Sequence, residues 1–167
     1  MKFIAHRGNT NGRDFKNENT PDYLKLALKN YAIETDVRIK NGQLWLGHDY
    51  CETLVPAELL LEPNIYWHAK SLETYFKLRD NGYKTFIHDA DPMAIVANSG
   101  EIWVHPNNIL EIKNRYDAIA VMPEKAFPLD VPSSEAWNFC WNNFNGVCSD
   151  NVALIREFHN RGMGTTI

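Results

Sequence analysis

Short apolar runs that end in charged or imidazole side chains recur along this chain, separated by polar or helix-patterned segments. Phe3-Ile4-Ala5 runs into His6-Arg7-Gly8, Ile33 opens Glu34-Thr35-Asp36-Val37, and Leu44-Trp45-Leu46 leads to Gly47-His48-Asp49. Such runs suit buried parallel strands, whose carboxyl ends carry the sites of α/β sheets. Glu34 and Asp36 stand two apart, so a strand turns both side chains to one face. Two carboxylates sharing a buried face repel each other and are rarely left without a cation.

The pattern predicts strand one over 2–5, then a long polar loop from Gly8 to Asn19 that contains Arg13 and Lys16. Thr20 is placed as N-cap and Pro21 as the first helical residue. Tyr23, Leu24, Ala27, Leu28 and Tyr31 form one apolar stripe, giving a helix of about ten residues. Strand two is predicted at 32–37. Eleven residues separate Asp36 from His48, with an Asn41-Gly42 turn signal among them, too few for a helix. If both ends lie on one rim, 37–41 run back extended and 43–48 return as strand three.

Beyond Pro56 and Pro63, strand four is predicted at 64–68, followed by a helix capped by Ser71 and stopped at Asn81-Gly82. Strand five follows at 85–88, a short helix from Asp91-Pro92 to near Gly100, strand six at 101–105, a short helix near 108–114 and strand seven at 118–121. A loop with Pro123, Pro128 and Pro132 leads to a helix over about 134–143. Strand eight is placed at 146–149, and Asp150 is read as the cap of a last helix stopped by Gly162.

Eight strands, mostly alternating with short helices, predict an α/β fold: a compact, trimmed (β/α)8 TIM-type barrel over residues 1–167. Its helical cover is thin, with no helix between strands 2 and 3. Five histidines (His6, His48, His68, His88 and His105) fall at predicted strand ends, which a barrel would gather on its active-site rim.

Composition limits the partners. The 167 residues are 44% hydrophobic, enough for one sizeable core. A net charge of −4 argues against a nucleic-acid surface, so an anionic substrate must be held by local charge. Cys51, Cys140 and Cys148 are an odd number without metal-binding spacing, which points to a reduced compartment. No apolar run approaches ~18 residues, so no membrane span is expected. The first strand begins too early to leave room for a signal peptide, making cytoplasmic localisation the expectation.

At this point a resemblance enters. His6-Arg7-Gly8, Glu18-Asn19-Thr20, Glu34-Thr35-Asp36-Val37, Asn41-Gly42 and His48-Asp49 occur in the order found in the glycerophosphodiester phosphodiesterases. That family belongs to the phosphatidylinositol-phospholipase-C-like barrel superfamily. The likeness is specific over roughly the first 50 residues and only architectural beyond residue 70. It implies lipid metabolism and a hydrolase that cleaves a small-molecule phosphodiester with one divalent cation, magnesium or calcium. It further implies acid–base work at His6 and His48, a phosphate contact at Arg7, metal binding at Glu34 and Asp36, and bracing by Glu18 and Asn19. The family's route uses a neighbouring substrate hydroxyl as first nucleophile, giving a cyclic phosphate that water can open.

The residue types suit that chemistry. A cation and Arg7 can neutralise a phosphodiester. Two histidines with ordinary pKa near 6.5 can exchange its protons at neutral pH.

Two departures stand out. Where the resemblance calls for Glu-x-Lys, the chain has His68-Ala69-Lys70, which keeps the lysine as a phosphate contact and exchanges a carboxylate for imidazole. Nitrogen ligation favours manganese, zinc or iron over calcium, so His68 is read as a metal ligand that opens the choice to manganese or zinc. Only about 15 residues separate Asp49 from strand four, too few for the family's pocket-shaping insertion. His88-Asp89-Ala90-Asp91 is a weaker candidate for a second metal or phosphate contact, with Asp91 also suited to capping. The rival readings are a phospholipase-D-like lyase that stops at the cyclic phosphate, and a non-catalytic phosphate-ester binding protein.

Overall fold

Alternation along the strands sorts side chains between the two faces of a single sheet. A computed structural model describes residues 1–127 and 134–163. Its strands are β1 (Lys2–His6), β2 (Ala32–Lys40), β3 (Gln43–Leu46), β4 (Thr53–Leu54), β5 (Ile65–Ala69), β6 (Thr85–Phe86), β7 (Met93–Ile95), β8 (Ile102–Val104), β9 (Arg115–Val121) and β10 (Phe144–Ser149). They are ordered β4-β3-β2-β1-β10-β9-β8-β7, with β5 also paired to β2 and β6 to β5. The pairings among β1, β2, β5, β6, β8, β9 and β10 are parallel, whereas β3, β4 and β7 join antiparallel. The sheet curls into a half-barrel, with an isolated bridge between Thr85 and Ala97.

Ile4, Tyr66, Phe86, Val96, Trp103, Ile119, Val121 and Cys148 fill one buried cluster on the concave face. Residues of opposite parity, such as Ala5, Ile33, Trp67 and Val147, join two other clusters under the helices. These are α1 (Pro21–Leu28), α2 (Ala57–Leu60), α3 (Leu72–Asp80), α4 (Ser134–Asn143) and α5 (Val152–Met163). Pro21 begins α1, which buries Leu24 and Ala27, but the Thr20 hydroxyl donates to Asn17 O instead of capping. Ser71 does cap α3, its Oγ accepting from Thr74 N–H at 3.2 Å. At the sheet end remote from His6, Tyr66 donates to buried Glu101 at 2.9 Å and Lys2 pairs with the same carboxylate. No helix among the described residues is long and apolar enough to cross a membrane.

The architecture corrects the expected (β/α)8 TIM barrel. The sheet is mixed, and no α-helix follows β6 or β8. The Asp91–Gly100 stretch, read as a helix, contains β7, because Met93, Ala94 and Ile95 alternate across a sheet edge as β-formers do. The helix expected near 108–114 is a 3-10 segment, Pro106–Glu111. Strand two does not stop at 37 to let 37–41 run back. β2 continues through Lys40, turns at Asn41-Gly42, and β3 returns antiparallel. Gly47 N–H then donates to Asp36 O at 3.1 Å, bringing His48's backbone back to the level of Asp36. A Cβ on Gly47 would lie 2.0 Å from Tyr50 O, so this return requires glycine. Pro128 and Pro132 lie outside the described residues.

Candidate metal and acid–base site

The parity that buries Ile4, Tyr66 and Cys148 on the concave face carries His6, His68 and Asp150 to the same side two residues later. On β2, Glu34 is in register with His6 and Asp36 with His68. The carboxyl ends of β1, β2, β5 and β10 thus meet in one cluster.

Asp36 is fully buried at its centre. Arg7 Nε lies 2.8 Å from Oδ2 as an ion pair, and Asn19 Nδ2 donates to the same oxygen at 3.0 Å. Oδ1 faces His68 Nδ1 at 3.1 Å and Lys70 Nζ at 3.5 Å, yet has no aligned hydrogen bond. Glu34 accepts from Arg7 N–H at 3.2 Å and faces His68 Nδ1 at 3.5 Å. Arg7 reaches this position in a left-handed backbone conformation, φ 52°, followed by left-handed Gly8 packed on Tyr23 and Leu24. Strained backbone of this kind persists where surrounding contacts over-determine it.

The loop before α1 fastens the cluster. Asn19 Oδ1 accepts from Thr35 Oγ1 at 2.8 Å and from Asp36 N–H at 3.1 Å. Glu18 receives Arg7 Nη1, two Arg13 nitrogens and Asn9 Nδ2 at 3.0–3.2 Å. Glu18 and Asn19 thus hold Arg7 and Asp36 in place.

His6 is oriented from both sides. Its Nδ1 lies 2.8 Å from Asp150 Oδ1, which also accepts from Asn9 Nδ2 at 2.8 Å, while its Nε2 is 3.8 Å from Glu34 Oε2. Burial opposes charge on this imidazole, but Glu34 and the Asp150 hydrogen bond outweigh it and raise its pKa. Burial likewise opposes ionisation of Asp150 and Asp36. Their partners (His6 for Asp150; His68, Arg7 and Lys70 for Asp36) nevertheless hold both carboxyls below the usual range.

His68 is oriented as a metal ligand would be. Its Nε2 lies 3.0 Å from the His88 carbonyl oxygen, an atom that can only accept, so this nitrogen carries a proton and Nδ1 is the atom free to ligate. Nδ1 is turned to Glu34 and Asp36. Metal-binding histidines are commonly held this way, with the far nitrogen donating to a carbonyl. Ligand atoms of Glu34, Asp36 and His68 all lie within 4.8 Å of one another, close to the span of two ~2.1 Å bonds across an ion. With the unsatisfied Asp36 Oδ1, these three residues fit a divalent cation. When no cation is bound, burial disfavours the imidazolium, but the facing Asp36 and Glu34 carboxylates prevail and raise His68 to about 9.

Beside Lys70 opens a cavity of about 370 Å³, lined also by Ile87, His88, Asp89 and Asp91. The His88 ring contacts both His68 and His105. His48 is less enclosed: its Nδ1 pairs with exposed Asp49 at 2.8 Å, and no described contact joins its ring to Glu34, Asp36 or His6.

Sequence reasoning missed Asp150 and Asn9. Asp150, between a strand and a helix, fits a cap; its place two residues beyond the buried Cys148 is the signal that it faces the site. Asn9 follows the His6-Arg7-Gly8 motif in a loop with no periodicity to orient it.

These shifts make the stability of the metal-free protein pH-dependent. His6 and His68 hold raised values, so their contribution is complete below the ordinary 6.5 and is lost as pH rises through the folded value, about 9 for His68. Asp36 and Asp150 contribute above the ordinary carboxylate range and lose that contribution as pH falls below it. Denaturant melts are expected to show stability falling between about pH 6.5 and 9, with His68→Gln flattening that fall. An unaltered slope in His68→Gln would assign the proton elsewhere.

Comparisons with protein-family models, with curated proteins and with solved structures find no match to this chain.

Proposed function

We propose that this chain hydrolyses phosphodiesters by histidine acid–base catalysis at a site that takes one divalent cation. The observation that carries this reading is the paired orientation of two half-buried imidazoles. His6 is fixed through Nδ1 by Asp150, and His68 through Nε2 by a carbonyl, so each turns its other nitrogen to the Glu34–Asp36 face. The first imidazole suits proton transfer and the second suits ligation.

When bound, the cation supplies Lewis-acid neutralisation of phosphate oxygens. Arg7 and Lys70, already beside Asp36, offer the phosphate further positive charge. His6 Nε2 exchanges a proton with the attacking or departing oxygen, and Asp150 stabilises the imidazolium that results. His48 is the second proton carrier in this reading. Its ring is more open than that of His6, and its backbone is tethered at the level of Asp36 through Gly47. A substrate hydroxyl next to the phosphate loses its proton and bonds to phosphorus while the leaving alkoxide departs and gains a proton. Water then opens the cyclic ester.

The likeness of residues 6–49 to glycerophosphodiester phosphodiesterases supports glycerophosphodiesters as substrates and a lipid-metabolic, cytoplasmic setting. The three unpaired cysteines suit a reducing compartment. Turnover of a model aryl phosphodiester is expected to vanish on dialysis against chelator and to return with manganese, zinc, magnesium or calcium. Full turnover in excess chelator contradicts the cation's role.

A further inference from the structure

Glu124 takes no part in the chemistry above, yet it is built into the same rim. The chain leaves β9 through Met122, whose φ of 47° is left-handed, a conformation costly for a bulky side chain. Met122 N–H donates to Cys148 O at 2.7 Å and fixes that bend. The following 3-10 turn, Pro123–Lys125, sets Glu124 against the end of β10. Ser149 Oγ donates to Glu124 Oε1 at 2.6 Å and accepts from Asn151 N–H at 2.9 Å. The Asn151 side chain also interacts with the Glu124 carboxyl. Glu124 Oε2 is enclosed without an aligned hydrogen bond. Enclosing a carboxyl in this way costs free energy, which neither the strand end nor the turn requires.

Between Ser149 and Asn151 lies Asp150, the residue that holds His6 Nδ1. We propose that Glu124 is a positioning residue for His6: by tying down the residues on either side of Asp150, it fixes the carboxylate that orients the imidazole. The inference rests on His6 as a proton carrier. Its geometric part, however, concerns only the Glu124–Ser149–Asp150–His6 chain and can be read without turnover.

The first measurement is the His6 Nδ1 proton resonance by NMR in the metal-free protein. Glu124→Ala is expected to broaden or abolish it through exchange with water, while Glu124→Gln, which keeps an acceptor for Ser149, restores it. Ser149→Ala breaks the same link from the other side and serves if Glu124→Ala does not fold. An unchanged resonance in either folded variant, or a loss in Glu124→Gln as large as in alanine, overturns the proposal. The second measurement is a double-mutant cycle on kcat. Glu124→Ala is expected to lower kcat between about ten- and a hundredfold, the scale of small misplacements, with KM held. In an Asp150→Ala background the same change is expected to have no further effect. Equal losses in both backgrounds overturn the link through Asp150. A protein that turns over no phosphodiester but shows the expected NMR series refutes the catalytic reading and leaves the positioning chain standing.

Discussion

His6→Ala is expected to lower kcat on a phosphodiester by ~10² or more, the scale of general acid–base help. The expectation follows from how the ring is held. Asp150 and Asn9 fix its Nδ1 side, Glu34 stands at its Nε2 side, and the mostly buried ring has little freedom to turn away. Alanine removes the proton carrier but none of the ligands Glu34, Asp36 and His68, so KM and cation affinity change little. Asp150→Asn keeps the shape and removes the charge that stabilises imidazolium, so kcat falls while the fold is retained. Steady-state kinetics with each variant loaded with the same cation checks both. A His6→Ala protein with undiminished kcat removes this residue from the mechanism. The same experiment on His48→Ala decides the second proton carrier, because among the described residues that ring pairs with exposed Asp49 alone.

The second large effect concerns His68, the imidazole of the Glu34–Asp36–His68 cluster. With two carboxylates and one imidazole, magnesium and calcium are expected to bind weakly, while manganese and zinc lose less because they accept nitrogen. The His68 proton adds a further consequence. With a value raised to about 9, the ring is protonated at neutral pH, and a cation must displace that proton from Nδ1. Affinity should therefore rise about tenfold per pH unit toward 9, and binding near neutrality should release about one proton. His68→Glu abolishes that dependence and returns the preference to the hard ions. Calorimetric titration of each metal, in buffers of different ionisation enthalpy, reads affinity and proton release together. The same metal order and proton count in wild type and His68→Glu contradict ligation by His68.

Much of this site was legible because strand parity is a local rule. A strand that buries Ile4 on the concave face must send His6 the same way, and the same holds for Tyr66 with His68. The Glu34–Asp36 pair meets them for that reason, whereas Arg7 arrives through its left-handed backbone and Glu18 and Asn19 come from a loop that parity does not orient. The expected barrel fails for a related reason: apolar runs mark strands but not their direction. Met93–Ile95 reads equally as a piece of short helix, and its place against β8 is settled by pairing partners that lie farther along the chain. β3 carries the pattern of a buried strand, while the Asn41-Gly42 turn makes it the return arm of a hairpin. Asp150 shows the limit most clearly. A residue between a strand and a helix satisfies every local rule for a cap, yet its side chain is claimed by a histidine 144 positions away.

In the proposed reaction the His6–Asp150 pair and the Glu34–Asp36–His68 cluster act together on a phosphodiester. Phosphorus NMR of a glycerophosphodiester incubated with the zinc- or magnesium-loaded protein tests this most directly. The diester resonance is expected to be replaced by a cyclic phosphate or phosphomonoester with wild type and to persist with His6→Ala. A diester resonance left unchanged by the wild-type protein with either loaded cation would contradict it.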